Sequence, residues 1–522
     1  MGAHTVVELL LILLIVASLI AMLTRRLRLP YTVALVIAGL LIDISHVPFL
    51  EHLLEEGGGD WLTPELIFLV FLPGLLFEAG INIRFRSLVS NLAPILMVAV
   101  LGLLIATLVS GYLVHLAVGL ALMPALVFGA LIAATDPISV LALFKQLGVS
   151  KRLSVIVEGE SLFNDGTAVV LFQILVAGVA TGQLDIGAGV VRFLIVAIGG
   201  AAVGLILGYV VSRVTQQVDD PQVEITLTTI LAYGSFLLAE ELHVSGVIAT
   251  VAAGLMIGNF GAEVGMSART RVALWSFWEY VGFVLNSLIF LLIGLQVHIL
   301  DLADYAIPIL IAIVVVLHSR VVAVYTLTPI ADRFTEPISL SWQHVMFWGG
   351  IHGGVSIALA LSLEPDFPER QLIFAMTFGV VAFSIIIQGL TIKPLLPLIG
   401  VKTGYEDEYD RTKVRQMVLA SAISQLERLQ VDHVISPSTY ERLRSELVTR
   451  RETLDEQVER HHVEHADRLE QEERLARAAL LRAEKAAIQK AVTEGLVSLH
   501  TAEEMAANSD QEMESVGGTG GH

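Results

Sequence analysis

A chain of 522 residues that is 55% apolar and only 16% charged, with a mean hydropathy of +0.74, has the profile of a polytopic membrane protein rather than a water-soluble globule. Its net charge of −19 comes without a basic patch, which excludes a nucleic-acid partner, and the lipid bilayer is the expected surrounding. With no cysteine, disulfides, thiolate chemistry and cysteine-based metal sites are excluded too.

Hydrophobic runs of spanning length fall near 6–23, 31–49, 64–82, 92–117, 123–146, 153–180, 187–213, 224–240, 244–260, 272–298, 305–328, 340–363 and 370–398, thirteen in all. The expected fold class is an all-α polytopic membrane protein. No basic residue precedes the first run, Arg25, Arg26 and Arg28 follow it, and no small-residue cleavage site is evident, so it reads as a transmembrane helix rather than a signal peptide. Only Glu241-Leu242-His243 separates the eighth run from the ninth, which predicts a tight hairpin. Loops after odd-numbered runs carry Arg84 and Arg86, Lys151 and Arg152, Arg213, Arg269 and Arg271, Arg333, and Lys402. Loops after even-numbered runs carry Glu51, Glu55, Glu56 and Asp60, then Asp185, Glu240 and Glu241, Asp301 and Asp304, and Glu364, Asp366 and Glu369. Basic loops stay in the cytoplasm, so the N-terminus is expected outside and the C-terminus inside.

Thirteen runs divide as six, one and six, and a unit starting outside would then be followed by one starting inside. Such inverted repeats are a common construction of secondary transporters, with broken helices meeting near the midplane. The fifth run of the first unit contains Ala134-Thr135-Asp136-Pro137, where the proline removes a helix hydrogen bond. The fifth run of the second contains Gly349-Gly350-Ile351-His352-Gly353-Gly354, a glycine cluster poor for a regular helix. Helix breaks are therefore expected at corresponding positions.

The sixth run holds Glu158-Gly159-Glu160-Ser161-Leu162-Phe163-Asn164-Asp165-Gly166. At ~100° per residue Glu158, Ser161 and Asp165 line one stripe, with Glu160 and Asn164 beside it. A carboxylate at membrane depth faces an ion path, a cavity or a partner. Counting ~1.5 Å per residue puts Asp165 and Asp136 near the midplane, and puts Glu78, Glu160 and Arg320 together at a second depth. That common depth suggests a Glu78–Arg320–Glu160 ion-pair cluster. Carbonyls freed near Thr135, the Ser161 hydroxyl and the carboxylates form a hard-oxygen set suited to an alkali cation. A carboxylate that binds either a proton or a cation, and never both, is sufficient for obligatory exchange, and Asn164 would orient ligands without adding a charge.

After Pro397 the composition turns charged and soluble. Residues 411–431 and 438–491 have the spacing of amphipathic helices, His461, His462 and His465 read as a solvated face, and Ser515 to His522 reads as a glycine-rich end. The expected division is a transmembrane domain over 1–402 and a cytoplasmic, mainly helical tail over 403–522.

Phe71-Leu72-Pro73-Gly74-Leu75-Leu76-Phe77-Glu78-Ala79-Gly80, Ala134 to Pro137, Glu158 to Gly166, Glu279-Tyr280 with Gly294-Leu295, Arg320, and Gly349 to Gly354 together resemble the monovalent cation:proton antiporter 1 family, nearest to prokaryotic sodium/proton antiporters of the NhaP type. The likeness is collinear over about 1–400. It implies an inverted-repeat fold with a mobile core and a dimerising domain, hence a homodimer. The implied activity is electroneutral exchange of Na+, with Li+ as an alternative, for H+ in pH and sodium homeostasis, since a related family with two adjacent aspartates is typically electrogenic. No cofactor is implied, because both ions are substrates. Carried over, Asp165 is the main ion and proton carboxylate, and Ser161 and Thr135 complete a Na+ site. Asp136, Asn164 and Glu78 are its neighbours, and Glu160 with Arg320 forms the polar support. Many relatives have arginine where this chain has His352, which puts a titratable group at the break and bears on the pH response.

Potassium/proton exchange by the same fold remains an alternative, since selectivity depends on cavity size. A channel with a cytoplasmic regulatory domain would call for a repeated filter sequence, which does not occur. An intramembrane hydrolase using Asp136 and Asp165 as a dyad suits Pro137 and Asn164 less well than ion binding does.

Overall fold

The computed structural model describes residues 3–27, 30–45, 63–182, 185–218, 220–262, 266–296, 303–401, 405–432 and 434–464. Arg28, the acidic residues at 51–60, Asp301, Lys402, His465, residues 466–491 and the glycine-rich end lie outside them, as do the side chains of Arg25, His461 and His462. The chain divides into two units, Met1–Thr403 and Gly404–His522.

Every regular element described in the first unit is helical. They are α1 (Ala3–Leu27), α2 (Tyr31–Ile44), α3 (Pro64–Asn82), α4 (Leu92–Val118), α5 (Leu122–Ile132), α6 (Ile138–Leu147), α7 (Lys151–Thr181), α8 (Ile186–Thr215), α9 (Pro221–Glu241), α10 (Gly246–Gly261), α11 (Ala268–Gln296), α12 (Ala306–Ala331), α13 (Leu340–Trp348), α14 (Gly354–Leu361) and α15 (Arg370–Leu398), with a short helix Phe85–Ser90 before α4 and a 3-10 helix Ala303–Tyr305 before α12. Nine described helices are long and apolar enough to cross a membrane, and α2, α5 and α10 are shorter apolar helices. Helix starts follow the caps the sequence offers. Asp185 accepts from Ala188 N–H at 3.0 Å, Asp220 from Gln222 N–H at 2.9 Å just before Pro221, and Ser245 from Ile248 N–H at 3.2 Å. The expected hairpin between α9 and α10 turns at His243, where φ is 57° and Val244 N–H reaches Ala239 O at 2.9 Å.

Two runs are interrupted. The fifth stops at Ile132 and resumes at Ile138, because Pro137 has no N–H to give and disfavours helical geometry in the residue before it. Asp136 Oδ1 then accepts from Ile138 N–H at 3.0 Å and starts α6. The twelfth stops at Trp348 and resumes at Gly354, with the glycines between. The runs are also not uniformly α-helical. Ile67–Phe71 in α3, Met97–Gly102 in α4, Ile257–Gly261 in α10 and Ser384–Gln388 in α15 are π-helical turns, which the hydrophobic pattern does not announce.

In the second unit, α16 (Tyr405–Val431) and α17 (Pro437–Glu464) form a helical hairpin. Leu419 and Leu426, seven residues apart, are buried along it, and Gln416 Nε2 donates to Asp455 Oδ1 at 2.6 Å.

Candidate functional site

The two interruptions pack against each other. Asp136 N–H donates to Ile351 O at 2.6 Å, linking the breaks through their backbones. The approach is close enough that a Cβ on Gly353 would stand 2.6 Å from Asp136 Cβ, so glycine is needed there. Breaking a helix at membrane depth frees carbonyls that no water can satisfy, and each must find a donor. Here neighbouring side chains supply them. Asn164 Nδ2 donates to Ala133 O at 3.0 Å and to Thr135 Oγ1 at 3.3 Å, and the Ser161 hydroxyl donates to Thr135 O. Ala134 O receives His352 Nδ1 at 3.0 Å and Ser356 Oγ at 3.3 Å. A carbonyl only accepts, so the His352 proton facing it is on Nδ1. Across the second break, Arg320 Nη2 reaches Met346 O at 3.0 Å, Gln388 Nε2 reaches Trp348 O at 3.2 Å, and His352 N–H reaches Ser384 Oγ at 3.1 Å. Both of those α15 side chains sit on its π-helical turn.

An unbroken α7 carries the polar stripe past this crossing. A cavity of about 130 Å³ lies against it, lined by Asp165, Ser161 and Glu158 from α7, Thr135 and Asp136 from the first break, Glu78 from α3, and Asn286 from α11. Asp165 and Asp136 lie close enough for their charges to couple, as do Glu158 and Glu78. Ser161 and Thr135 are buried, at 4% and 5% exposed, while Asp165, Asp136, Glu158 and Glu78 are half-buried along the cavity wall. Carboxylate, hydroxyl and carbonyl oxygens are what a hard cation requires.

Arg320 Nη1 pairs with Glu160 Oε1 at 2.6 Å, with Glu160 only 2% exposed. Gly350 allows this, since a Cβ there would lie 2.7 Å from Arg320 Nε. Glu78 is not part of the pair. Its Oε1 accepts from Asn82 Nδ2 at 2.7 Å, and it faces the cavity with Glu158 and stands near Glu279 and Lys145. The expected triad of Glu78, Arg320 and Glu160 therefore separates into an ion pair and a cavity carboxylate. Equal depth along three helices fixes height but not the direction in which each side chain points. Asn286, Ser384 and Gln388 escaped the sequence reading, although each is a polar residue inside an apolar run, the signal that singled out the carboxylates.

A family profile described as "Sodium/hydrogen exchanger, transmembrane" matches residues 11–397. The chain belongs to the sodium/hydrogen exchanger family. Its likeness to individual members of this transporter family is extensive. It is 41% identical over 433 residues to the Na(+)/H(+) antiporter NhaG of Bacillus atrophaeus, covering 82% of each chain. It is 43% identical over 377 residues to the Na(+)/H(+) antiporter ApNhaP of Aphanothece halophytica, covering 72% of this exchanger and 70% of that one. The solved sodium proton antiporter MjNhaP1 of Methanocaldococcus jannaschii has the same fold, with a TM-score of 0.61 at 19% identity over 77% of this chain and 100% of that one. Both the matched segment and the interrupted helices fall within the first unit of this multi-pass membrane exchanger.

Proposed function

We propose that this exchanger moves Na+ against H+ by competition at Asp165, one ion for one. The observation that carries this is the cavity where Asp165, Asp136, Ser161 and Thr135 meet at the crossing of two interrupted helices. In this reading Asp165 carries either the proton or the cation. The Ser161 hydroxyl, which donates its hydrogen to Thr135 O, keeps its lone pairs for the cation. Asp136, Asn164 and Glu78 shape the field around the ion, and Glu160 with Arg320 holds the crossing. His352, bonded to the first break at Ala134 O, is the group through which pH would bear on the crossing. Asn164 stands where a second titrating carboxylate would make the exchange electrogenic, which supports the electroneutral form. The positions of the two breaks, in the fifth and twelfth of thirteen spans, support two inverted six-helix repeats. Loop charges support an outside N-terminus and a cytoplasmic tail in the cell's inner membrane, and the family resemblance supports a homodimer.

Reconstitution in proteoliposomes tests this. Turnover is expected to fall on both the acid and the alkaline side, because protons occupy the site in acid and few are left for the return step in alkali. Raising Na+ tenfold should move the acid limb by about one pH unit when competition is simple. Asp165→Asn should abolish exchange in a folded protein. A potential of ~100 mV, worth ~2.3 kcal/mol per charge moved, should leave the null-point gradient unchanged. A null point that shifts with voltage overturns the one-for-one reading, normal exchange by Asp165→Asn overturns the site, and exchange driven by K+ in preference to Na+ overturns the cation.

A further inference from the structure

Thr135 and Asn164 also line a second, smaller cavity, of about 20 Å³, bounded by α4, α5 and α12 rather than by α3 and α11. Ser110, Ser319, Arg320 and His352 are among its other walls. Two polar atoms on residues lining it have no hydrogen-bond partner among the described residues, Asn164 Oδ1 and Arg320 Nε, and Asn164 is 1% exposed. One is an acceptor and the other a donor, and a buried polar atom left alone is destabilising. The volume exceeds the ~10–15 Å³ that one water molecule needs. Ser110 and Ser319, both lining the cavity, give their hydrogens to Ala106 O and Val316 O, which leaves their oxygens only acceptor capacity.

From these contacts we infer that the small cavity is a binding site for one water molecule, which accepts from Arg320 Nε–H and donates to Asn164 Oδ1 and to a serine oxygen. The inference rests on the cation site described above, because its effect runs through Asn164. The carboxamide has only one productive orientation. Nδ2 must face the carbonyl of Ala133, so Oδ1 must face the chamber, and the water fixes it there. Arg320 is thereby a positioning residue, holding Glu160 directly and the Asn164–Thr135 contact through the water. An anion such as chloride also suits Arg320, but not the lone pairs of Asn164 Oδ1 or of serines whose hydrogens are already given away, which favour water.

Two measurements on the full-length protein decide it. A high-resolution cryo-EM map in nanodiscs should show one peak within about 3.2 Å of both Arg320 Nε and Asn164 Oδ1. An empty chamber, or a peak that avoids Asn164 and weakens when chloride is replaced by gluconate, overturns the water site. In proteoliposomes, Ala106→Val, or Val316→Ile from the facing wall should the first not fold, fills the chamber. Either should raise the KM for Na+ about tenfold with little change in kcat, the size expected when one buried acceptor loses its partner. Gly234→Ala on α9, which meets nothing within 4 Å and lines neither cavity, should leave KM unchanged. A wild-type KM in a folded filling variant overturns the positioning role. Absence of Na+ exchange in the wild-type protein sinks the function reading instead, while the map still decides the water.

Discussion

Arg320 shows how much one side chain is asked to hold. It pairs with Glu160 at 2.6 Å, caps Met346 O at 3.0 Å and lies against the backbone of Gly350. Removing one partner of a buried pair strands the other, at ~3–5 kcal/mol, which exceeds what the intact pair contributes over apolar residues. Arg320→Ala and Glu160→Gln should each lower the free energy of unfolding in mixed micelles, and the double variant should lose clearly less than the sum. Arg320→Ala combined with Glu78→Gln should be additive to within ~0.5 kcal/mol, because Glu78 bonds Asn82 and faces the other cavity. Coupling to Glu78 as large as that to Glu160 would contradict the arrangement. The sequence identified the charged residues and the pairing of Arg320 with Glu160, but wrongly added Glu78 to it. A carboxylate in an apolar run advertises itself through the cost of its charge, whereas the azimuth of a helix, which decides between Glu78 and Glu160, depends on how whole helices pack. Neutral Asn286 carries a weaker version of the same signal and passes unnoticed.

The crossing of the interrupted helices depends on glycine at one contact. Gly353→Ala would place a methyl 2.6 Å from Asp136 Cβ, and relief requires the two breaks to separate. Overpacking of this kind costs ~1–3 kcal/mol, so the variant should unfold more easily and exchange more slowly. Gly234→Ala on α9 meets nothing within 4 Å and should be neutral or stabilising by up to ~1 kcal/mol. Equal losses in the two variants, measured side by side, would show that the crossing is not the sensitive contact. Both interruptions were legible in advance because proline and clustered glycine act on the backbone locally. What satisfies them was not. Ser384 and Gln388 reach the second break from a π-helical turn more than thirty residues away in sequence, and such turns come from packing rather than from any residue that marks them.

For the molecule as a whole, every group assigned to transport lies in the first unit, and the second is a helical hairpin with its own buried leucines. A chain ending at Lys402 should therefore still exchange cations in proteoliposomes, with its pH dependence or affinity altered. A well-inserted but inert protein would show that the tail belongs to the core mechanism. The larger cavity also bears on how tightly such a machine is sealed against waste. Its wall presents Asp165 and Asp136 near one another and Glu78 near Glu158. With neither proton nor cation aboard, these negative groups would have to be carried through the membrane's low-dielectric interior unneutralised, and that is expensive. Under the proposed mechanism the empty carrier would thus be the slowest form to change sides. Slippage, in which a return stroke carries nothing, would be suppressed by the same charges proposed to attract the cargo, so a gradient once built would not drain through its own pump.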